Sequence, residues 1–367
     1  MRRTRLACAL VAGGVVLGGS ASGSQATAPV GLEGPSLVDQ RSTVDELPLS
    51  SQVGRLVVLR FAGTSAPEYV RDILREGRAA GAILFRDNVI DSEQTQALTR
   101  QLRLGAQSTP LICVDQEGGA IRILRWVGPA RSAPEQAAVG AERVDARAAA
   151  RGLRAAGVNV SLAPVADVTR APGAALSDRA FSADADAVAD SVVEAVLGWR
   201  DGGVASTVKH FPGLGGAKVN TDHGPVTIAG SARQLRRRDL RPFRRAIETG
   251  VQLVMVGHAL YPAIDPARIA SQSKAVVEGL LRHELGFRGV VITDSTEAAA
   301  VLAVTQPAQA AVRNVRAGVD IVLTTGRGSY IQVYRALLAE AKRDPAFRAR
   351  VRESAARVLA LQRTLGT

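Results

Sequence analysis

A chain of 367 residues, of which 46% are hydrophobic and 4% aromatic, is long enough to bury a large core in one or two domains. Its formal net charge of +12 suggests nucleic-acid binding, but the basic residues are mostly arginines scattered along predicted helices, without interleaved aromatic residues. We therefore predict solvated basic helix faces and no nucleic-acid partner.

The first 28 residues have the pattern of a secretory signal. A basic segment at 2–5 is followed by a short apolar run and by an A-x-A-type cleavage site at 26–28. The apolar run is shorter than the roughly 18 residues that a membrane-spanning helix needs. We therefore predict an exported protein with a signal at 1–28, the alternatives being a basic tail or a retained anchor.

Cleavage would change both the cysteine content and the charge. It would remove Cys8 and leave Cys113 as the single cysteine, so no disulfide is expected. The formal charge would fall by three, to about +9, and a basic exported protein is attracted to an anionic cell envelope. Residues 29–54 contain several prolines, serines and glycines, which predicts an extended linker and lead-in to one domain at 55–367.

From residue 55 the chain alternates short apolar runs with longer alanine-rich segments. The predicted strands are 55–61, 81–85, 110–114, 158–168, 204–208, 251–256, 289–292 and 319–323. Their hydrophobicity is continuous rather than alternating, which indicates burial on both faces, as in a parallel sheet. Eight strand–helix units predict a single α/β domain, a (β/α)8 TIM barrel. The alternative is an open doubly wound sheet, but no glycine-rich phosphate loop follows the first strand.

Helical patterns fill the intervals between these strands. The predicted helices are 66–80, 92–104, 135–156, 183–201, 231–249, 274–285 and a final amphipathic helix at 346–364, with Val351, Val358 and Leu361 facing inward. Glycines at 81, 157 and 250 are expected to end the helices that precede the second, fourth and sixth strands.

In such barrels the active site lies at the carboxyl ends of the strands. Charged or titratable residues follow most of the apolar runs, namely Asp87, Asp115, Asp167, Lys209, His210, His258 and Asp294. Together they predict a polar site for a polyhydroxylated substrate. Metal binding is the rival interpretation, but no H-x-x-x-H or comparable close pair occurs, so we predict neither a metal nor another cofactor.

Four sequence blocks carry a resemblance to a known family. They are ILF with an asparagine at 83–88, VDQEGG at 114–119, KHFPG at 209–213 and GFRGVVITD at 286–294. In order and spacing, over about residues 46–365, they resemble glycoside hydrolase family 3 and in particular its β-N-acetylhexosaminidase branch. The resemblance implies a retaining exo-hydrolase that removes terminal β-linked N-acetylglucosamine from cell-wall or chitin-type fragments.

The resemblance also implies roles for individual residues. Asp294 matches the family nucleophile that forms a glycosyl-enzyme, and the same position is also suited to a helix N-cap. Lys209 and His210 match the pair that binds hydroxyl groups of the sugar. Asp115 and Arg179 match further hydroxyl ligands.

The proton donor is less well defined by the resemblance. The branch usually carries an acid/base histidine in an Asp-Ser-His triplet after the fifth strand, and the equivalent triplet here is 220–222. Asp222 therefore occupies the position of the histidine, and His223 becomes the candidate if the loop is shifted by one residue. His258 matches a family histidine after the sixth strand, with a structural histidine as the alternative.

Two further points leave the substrate open. Ala120 and Ile123 occupy positions where the family has arginines, and Arg122 and Arg125 lie nearby in the sequence. One alternative is a β-glucosidase of the same family, which usually carries a second domain. Another is a catalytically silent saccharide-binding protein of the envelope. We expect a monomer with a small carbohydrate substrate.

Overall fold

The computed structural model describes residues 44–169 and 173–366. The predicted signal at 1–28 lies outside the described residues, as does the first part of the lead-in. The end of the lead-in differs from the predicted extended linker, because Leu49–Gly54 is a helix. Pro48 precedes its first turn with φ −60°, a value suited to helix entry, and Val53 is buried in the core.

Eight parallel strands form one sheet in which neighbours in sequence are neighbours in space. They are β1 Val57–Arg60, β2 Gly81–Ile83, β3 Leu111–Val114, β4 Val160–Ser161, β5 Ala205–Phe211, β6 Leu253–Val256, β7 Val290–Thr293 and β8 Val322–Leu323. β8 pairs with β1, and a parallel bridge between Ile292 and Ile321 links β7 to the β8 side of the ring. The predicted α/β barrel is confirmed.

Helices surround this ring. Those of seven residues or more are Glu68–Arg75, Ser92–Arg103, Ala133–Val139, Glu142–Ala155, Ala185–Asp201, Leu240–Glu248, Ala275–Glu284, Pro307–Ala317, Ser329–Arg343 and Pro345–Thr364. Shorter helical pieces, besides Leu49–Gly54, are Arg86–Asn88, Ala232–Gln234, Leu235–Asp239, Ala270–Gln272 and Ala299–Leu302. No helix in the described residues is long and apolar enough to cross a membrane.

Two local predictions about helix ends are wrong. The helix predicted at 135–156 is two helices, because Gly140 adopts a left-handed conformation with φ 63° and ends the first of them. Gly81 does not end a helix: it begins β2, where a Cβ atom would lie 1.9 Å from the carbonyl oxygen of Leu111. Gly77, with φ 66°, follows the helix that precedes β2.

The strands are buried on both faces, as their continuous hydrophobicity predicts. One set of side chains, including Val58, Ile83 and Met255, fills the interior of the ring. Side chains such as Val57 and Val254 point the other way and pack against the helices. Because the strands are buried on both faces, polar side chains gather at their carboxyl ends and in the segments that follow them.

The final helix closes the amino end of the barrel. Val358 and Leu361 belong to the interior cluster, and Val351 is fully buried, so all three predicted inward positions are confirmed. Gln362 donates through Nε2 to the carbonyl oxygen of Ala80, directly before β2, at 2.9 Å. Because the helix covers the amino ends of the strands, access to the interior is left at their carboxyl ends.

A buried carboxylate fastens this helix to the barrel. Asp320, just before β8, accepts hydrogen bonds from Arg282 at 2.5 Å, Arg350 at 2.6 Å and Arg357 at 3.1 Å. Ser354 also donates to it, at 2.9 Å. Burial alone would raise the pKa of Asp320, but the three guanidinium charges outweigh this effect and hold the pKa at about 2.

We expect Asp320→Ala to destabilise the fold by about 3–5 kcal/mol, because it strands buried guanidinium charges. The measurement is urea unfolding near pH 7, and Asp190→Ala, which removes an exposed partner of Arg245, is the control that should change little. The folded pKa of about 2 lies below the unfolded value of roughly 3.9, so the wild-type advantage is complete above about pH 4 and is lost as pH falls toward 2. Equal losses of stability in Asp320→Ala and Asp190→Ala would contradict the stabilising role of Asp320.

Candidate active site

A cavity of about 400 Å³ opens at the carboxyl ends of the strands. Most of the predicted site residues line it, namely Asp115, Arg179, Lys209, His210, Asp222 and Asp294. His223 and His258 do not. Residues separated by up to 179 positions in the chain thus meet in one place, because parallel strands bring their carboxyl ends to one rim.

A buried lysine organises one side of this cavity. Lys209 lies in β5 and is 2% exposed, and its Nζ lies 2.6 Å from an oxygen of Asp115 and 2.6 Å from one of Glu117. Burial would lower the pKa of Lys209, but the two carboxylates outweigh it and raise the pKa above its usual value. The ammonium group is therefore charged and holds both carboxylates in place.

Arg179 completes the cluster through a two-pronged contact. Its Nε and Nη2 donate to the two oxygens of Glu117 at 2.8 and 2.7 Å. Burial would raise the pKa of Glu117, but Lys209 and Arg179 together lower it to about 2. Two cations and two carboxylates, Asp115 and Glu117, thus give a nearly neutral cluster at the floor of the site.

Glu117 also lines the cavity. It belongs to the VDQEGG block but is not among the site residues predicted from the sequence. Gln116–Gly118 is a short strand after β3, in which side chains alternate between faces. The spacing of two between Asp115 and Glu117 therefore indicated that both acids point the same way. Arg60 was missed too: it ends β1, lines the cavity and lies 3.1 Å from Asp87.

Asp294, which directly follows β7, also lines the cavity. Its Oδ1 accepts from the backbone N–H of Ser295 at 2.7 Å, and its Oδ2 lies 4.0 Å from Nε2 of His210. His210 is oriented from behind by buried Asp167, whose Oδ2 lies 2.7 Å from Nδ1. Burial would raise the pKa of Asp294, but His210, His258 and the Ser295 N–H lower it, so the group is a carboxylate.

Asp222 reaches the cavity from the loop after β5. The loop is held by backbone hydrogen bonds, from Ala299 to the carbonyl oxygen of Asp222 at 3.3 Å and from Ala300 to that of Thr221 at 3.0 Å. Partial desolvation and the negative charge of Asp294 raise the pKa of Asp222. Two carboxyl groups with pKa values shifted in opposite directions are the arrangement expected of an acid and a nucleophile.

The two remaining predicted histidines lie elsewhere. His223 is exposed, and its side chain does not line the cavity. His258 is fully buried, with Nδ1 2.9 Å from the hydroxyl of Ser271 and Nε2 2.9 Å from the carbonyl oxygen of Ser295. Its ring therefore lies against the turn that follows Asp294 and does not line the cavity.

The segment after the Glu-Gly-Gly motif contributes little charge to the cavity. Ile121 lines it, whereas Arg122 and Arg125, the nearby arginines of the sequence, do not. Guanidinium groups at the site come instead from Arg60 and Arg179. In residues 44–169 and 173–366, no group of three or more His, Cys, Asp or Glu side chains is arranged to hold a metal ion.

Comparison with known proteins agrees with this geometry. The model of the glycosyl hydrolase family 3 N-terminal domain matches residues 49–361. An uncharacterized secreted glycosyl hydrolase of Arthroderma benhamiae is 35% identical over 86% of this chain and 94% of its own length. A beta-hexosaminidase of Xanthomonas oryzae is 36% identical over 73% of this chain and 83% of its own.

A solved structure is similar over most of the described chain. A glycoside hydrolase family 3 beta-N-acetylglucosaminidase from Paenibacillus sp. is 36% identical, with a TM-score of 0.82. The alignment covers 87% of this chain and 63% of that one, so this chain spans about three fifths of the Paenibacillus protein.

We expect Lys209→Met to destabilise the fold by about 3–5 kcal/mol, because two carboxylates lose their shared cation. In the double variant Lys209→Met, Glu117→Gln, the combined loss should fall short of the sum of the single losses by roughly 0.5–3 kcal/mol. Chemical unfolding near pH 7 measures all three, and Lys218→Met, at an exposed lysine of the loop after β5, is the control. Strict additivity would show that Lys209 and Glu117 do not interact energetically.

Proposed function

The chain is a glycoside hydrolase that belongs to glycosyl hydrolase family 3, and from this premise we propose that it is a retaining exo-β-N-acetylhexosaminidase. Its proposed substrates are cell-wall or chitin-type fragments with a terminal β-linked N-acetylglucosamine. The observation that carries the proposal is a single cavity containing the carboxyl groups of Asp294 and Asp222, whose pKa values are shifted in opposite directions. The names of the Xanthomonas and Paenibacillus relatives support the choice of sugar.

In the first step, ionised Asp294 attacks the anomeric carbon while protonated Asp222 gives its proton to the departing glycosidic oxygen. The bond to the aglycone breaks, and a glycosyl-enzyme forms on Asp294. The lowered pKa of Asp294 keeps the nucleophile ionised, and the raised pKa of Asp222 keeps its proton available.

In the second step, Asp222, now a carboxylate, takes a proton from water. The water oxygen attacks the anomeric carbon, the bond to Asp294 breaks, and the sugar leaves with its original configuration. His210 lies beside Asp294 and is oriented by Asp167, so it supports the carboxylate that is released in this step.

The proposed sugar site is the cluster around Lys209. An ammonium group has three N–H donors, of which Asp115 and Glu117 accept two, so one remains for a sugar hydroxyl. Asp115 is more exposed than Glu117 and can accept a hydroxyl hydrogen bond. Because the cluster is rigid and nearly neutral, it can strengthen hydrogen bonds to the ring as the transition state forms.

The proposed setting is outside the cytoplasm. The signal-like sequence at 1–28 and the secreted Arthroderma relative support export. The positive charge supports attraction to an anionic envelope and fits a role in peptidoglycan turnover. We propose that the protein acts as a monomer, since side chains of this one chain supply both carboxyl groups and the sugar-binding cluster.

Asp294→Ala should lower turnover of a chromogenic N-acetyl-β-glucosaminide by roughly 10⁴-fold or more, because no glycosyl-enzyme can form. Mass spectrometry of the wild type, quenched during turnover of an activated substrate, should show one sugar attached at Asp294. Asp186→Ala, at an exposed position, is the control. Faster turnover of a β-glucoside would overturn the proposed sugar, and turnover of neither substrate would favour a silent binding protein.

Asp222→Ala should slow the same reaction by about 10²–10⁴-fold, with azide restoring the rate on an activated substrate, while His223→Ala should change it little. In the wild type, activity should fall as pH drops through the lowered pKa of Asp294 and as pH rises through the raised pKa of Asp222. Initial rates from pH 3 to 10 test this, and Asp222→Ala should lose the alkaline limb. Azide rescue of His223→Ala alone would assign the acid to His223 instead.

A further inference from the structure

A second cavity, of about 570 Å³, adjoins the active site and shares none of its lining residues. Its walls come from segment 225–227, from helix Pro307–Ala317 and from an antiparallel hairpin whose strands are Leu260–Tyr261 and Asp265–Ile269. A hydrogen bond links the walls of the two cavities. His258 lines the second cavity, and its Nε2 lies 2.9 Å from the carbonyl oxygen of Ser295, which lines the active site.

The second cavity is strongly positive. Three arginines line it, and none of its lining residues in the described part of the chain is an aspartate or glutamate. Arg316 is already paired with Glu340 and Asp344 on its outer side. Arg268 and Arg313 have no hydrogen bond or ion pair within the described residues, so their guanidinium donors remain available to a ligand.

The second cavity also holds a buried hydrogen-bond donor without an acceptor in the described residues. Gln272 lines the second cavity and is 4% exposed, yet its Nε2 has no hydrogen-bond partner in residues 44–169 and 173–366. Buried polar atoms in proteins are nearly always hydrogen-bonded. Two free guanidinium groups and a free amide around one cavity match a ligand with several negatively charged oxygens.

The walls of the second cavity also hold the loop that carries Asp222. Ala300 lines the cavity, and its N–H holds the carbonyl oxygen of Thr221 at 3.0 Å. On the other side of Asp222, Val226 lines the cavity and accepts a hydrogen bond from the N–H of Leu260 at 2.8 Å. Residues that form both attachments of the loop therefore line the second cavity.

We propose that the second cavity is a binding site for a small molecule that bears a carboxylate or phosphate group, held by Arg268, Arg313 and Gln272, and that its occupation steadies the loop carrying Asp222. The binding site and the active site are coupled through segment 222–226 of that loop, because Asp222 lines the active site and Val226 lines the second cavity. Ligand binding at such a site shifts the loop only to the extent that the ligand contacts its ordered position better than other positions.

Calorimetric titration tests the binding with citrate and inorganic phosphate as separate probes. We expect saturable binding of at least one of them, and the stronger probe identifies the favoured anionic group. Arg313→Gln should weaken that binding by about tenfold or more, and Arg268→Gln, Arg313→Gln together should abolish it. Arg335→Gln removes the same charge from an exposed position of helix Ser329–Arg343, outside the second cavity, and should leave binding unchanged.

Hydrogen–deuterium exchange tests the coupling on the same proteins. The saturating probe should slow exchange of backbone amides in residues 220–228 several-fold in the wild type and not in the double arginine variant. The proposal fails if neither probe binds, if the double variant binds as well as the wild type, if N-acetylglucosamine displaces the probe, or if exchange is unchanged. None of these measurements uses turnover, so their failure is separate from failure of the proposed activity.

Discussion

The ammonium group of Lys209 is buried almost completely at the carboxyl end of β5, and the arrangement of the site follows from the need to neutralise it. A charge removed from water is stable only with close partners of opposite sign. Asp115 and Glu117, on the chain that leaves β3, supply them, and Arg179 then balances the second carboxylate. Because each charged group is paired with one of opposite sign, the cluster ties β5 to the segments that follow β3 and β4 before any substrate binds.

Both ends of the barrel contain buried charges that are paired with charges of opposite sign, but only one end remains open to a cavity. At the amino end, Asp320 is enclosed by three arginines and the final helix, so its charge is fully used in holding the fold together. At the carboxyl end, Lys209 and Arg179 are balanced by carboxylates in a cavity that stays open. The closed amino end contributes stability. The open carboxyl end can therefore keep polar groups that still have hydrogen-bond donors or acceptors free for a ligand.

The sequence predicts the barrel well because β1 to β8 are buried on both faces, and continuous apolar runs report that burial directly. It also predicts that residues at the ends of those runs, such as Asp294, line one cavity. It does not predict side-chain placements that depend on tertiary contacts. His258 ends the run of β6 like the others, but Ser271 and the Ser295 carbonyl hold its ring behind the turn. Glu117 was overlooked because its partner, Lys209, is 92 positions away in the chain.

The loop that carries Asp222 is positioned by main-chain contacts rather than by the side chain at position 222. The loop is held through two main-chain carbonyl groups: that of Thr221 accepts from the N–H of Ala300, and that of Asp222 accepts from the N–H of Ala299. These contacts do not depend on which side chain occupies position 222, so the backbone can carry an aspartate where the β-N-acetylhexosaminidase branch usually carries a histidine. Partial desolvation and the neighbouring charge of Asp294 then raise the pKa of that aspartate, as its proposed role of proton donor requires. The main chain therefore sets the position of residue 222, and the surroundings of its side chain set its protonation. The residue type at 222 has only to be one whose pKa these surroundings can adjust.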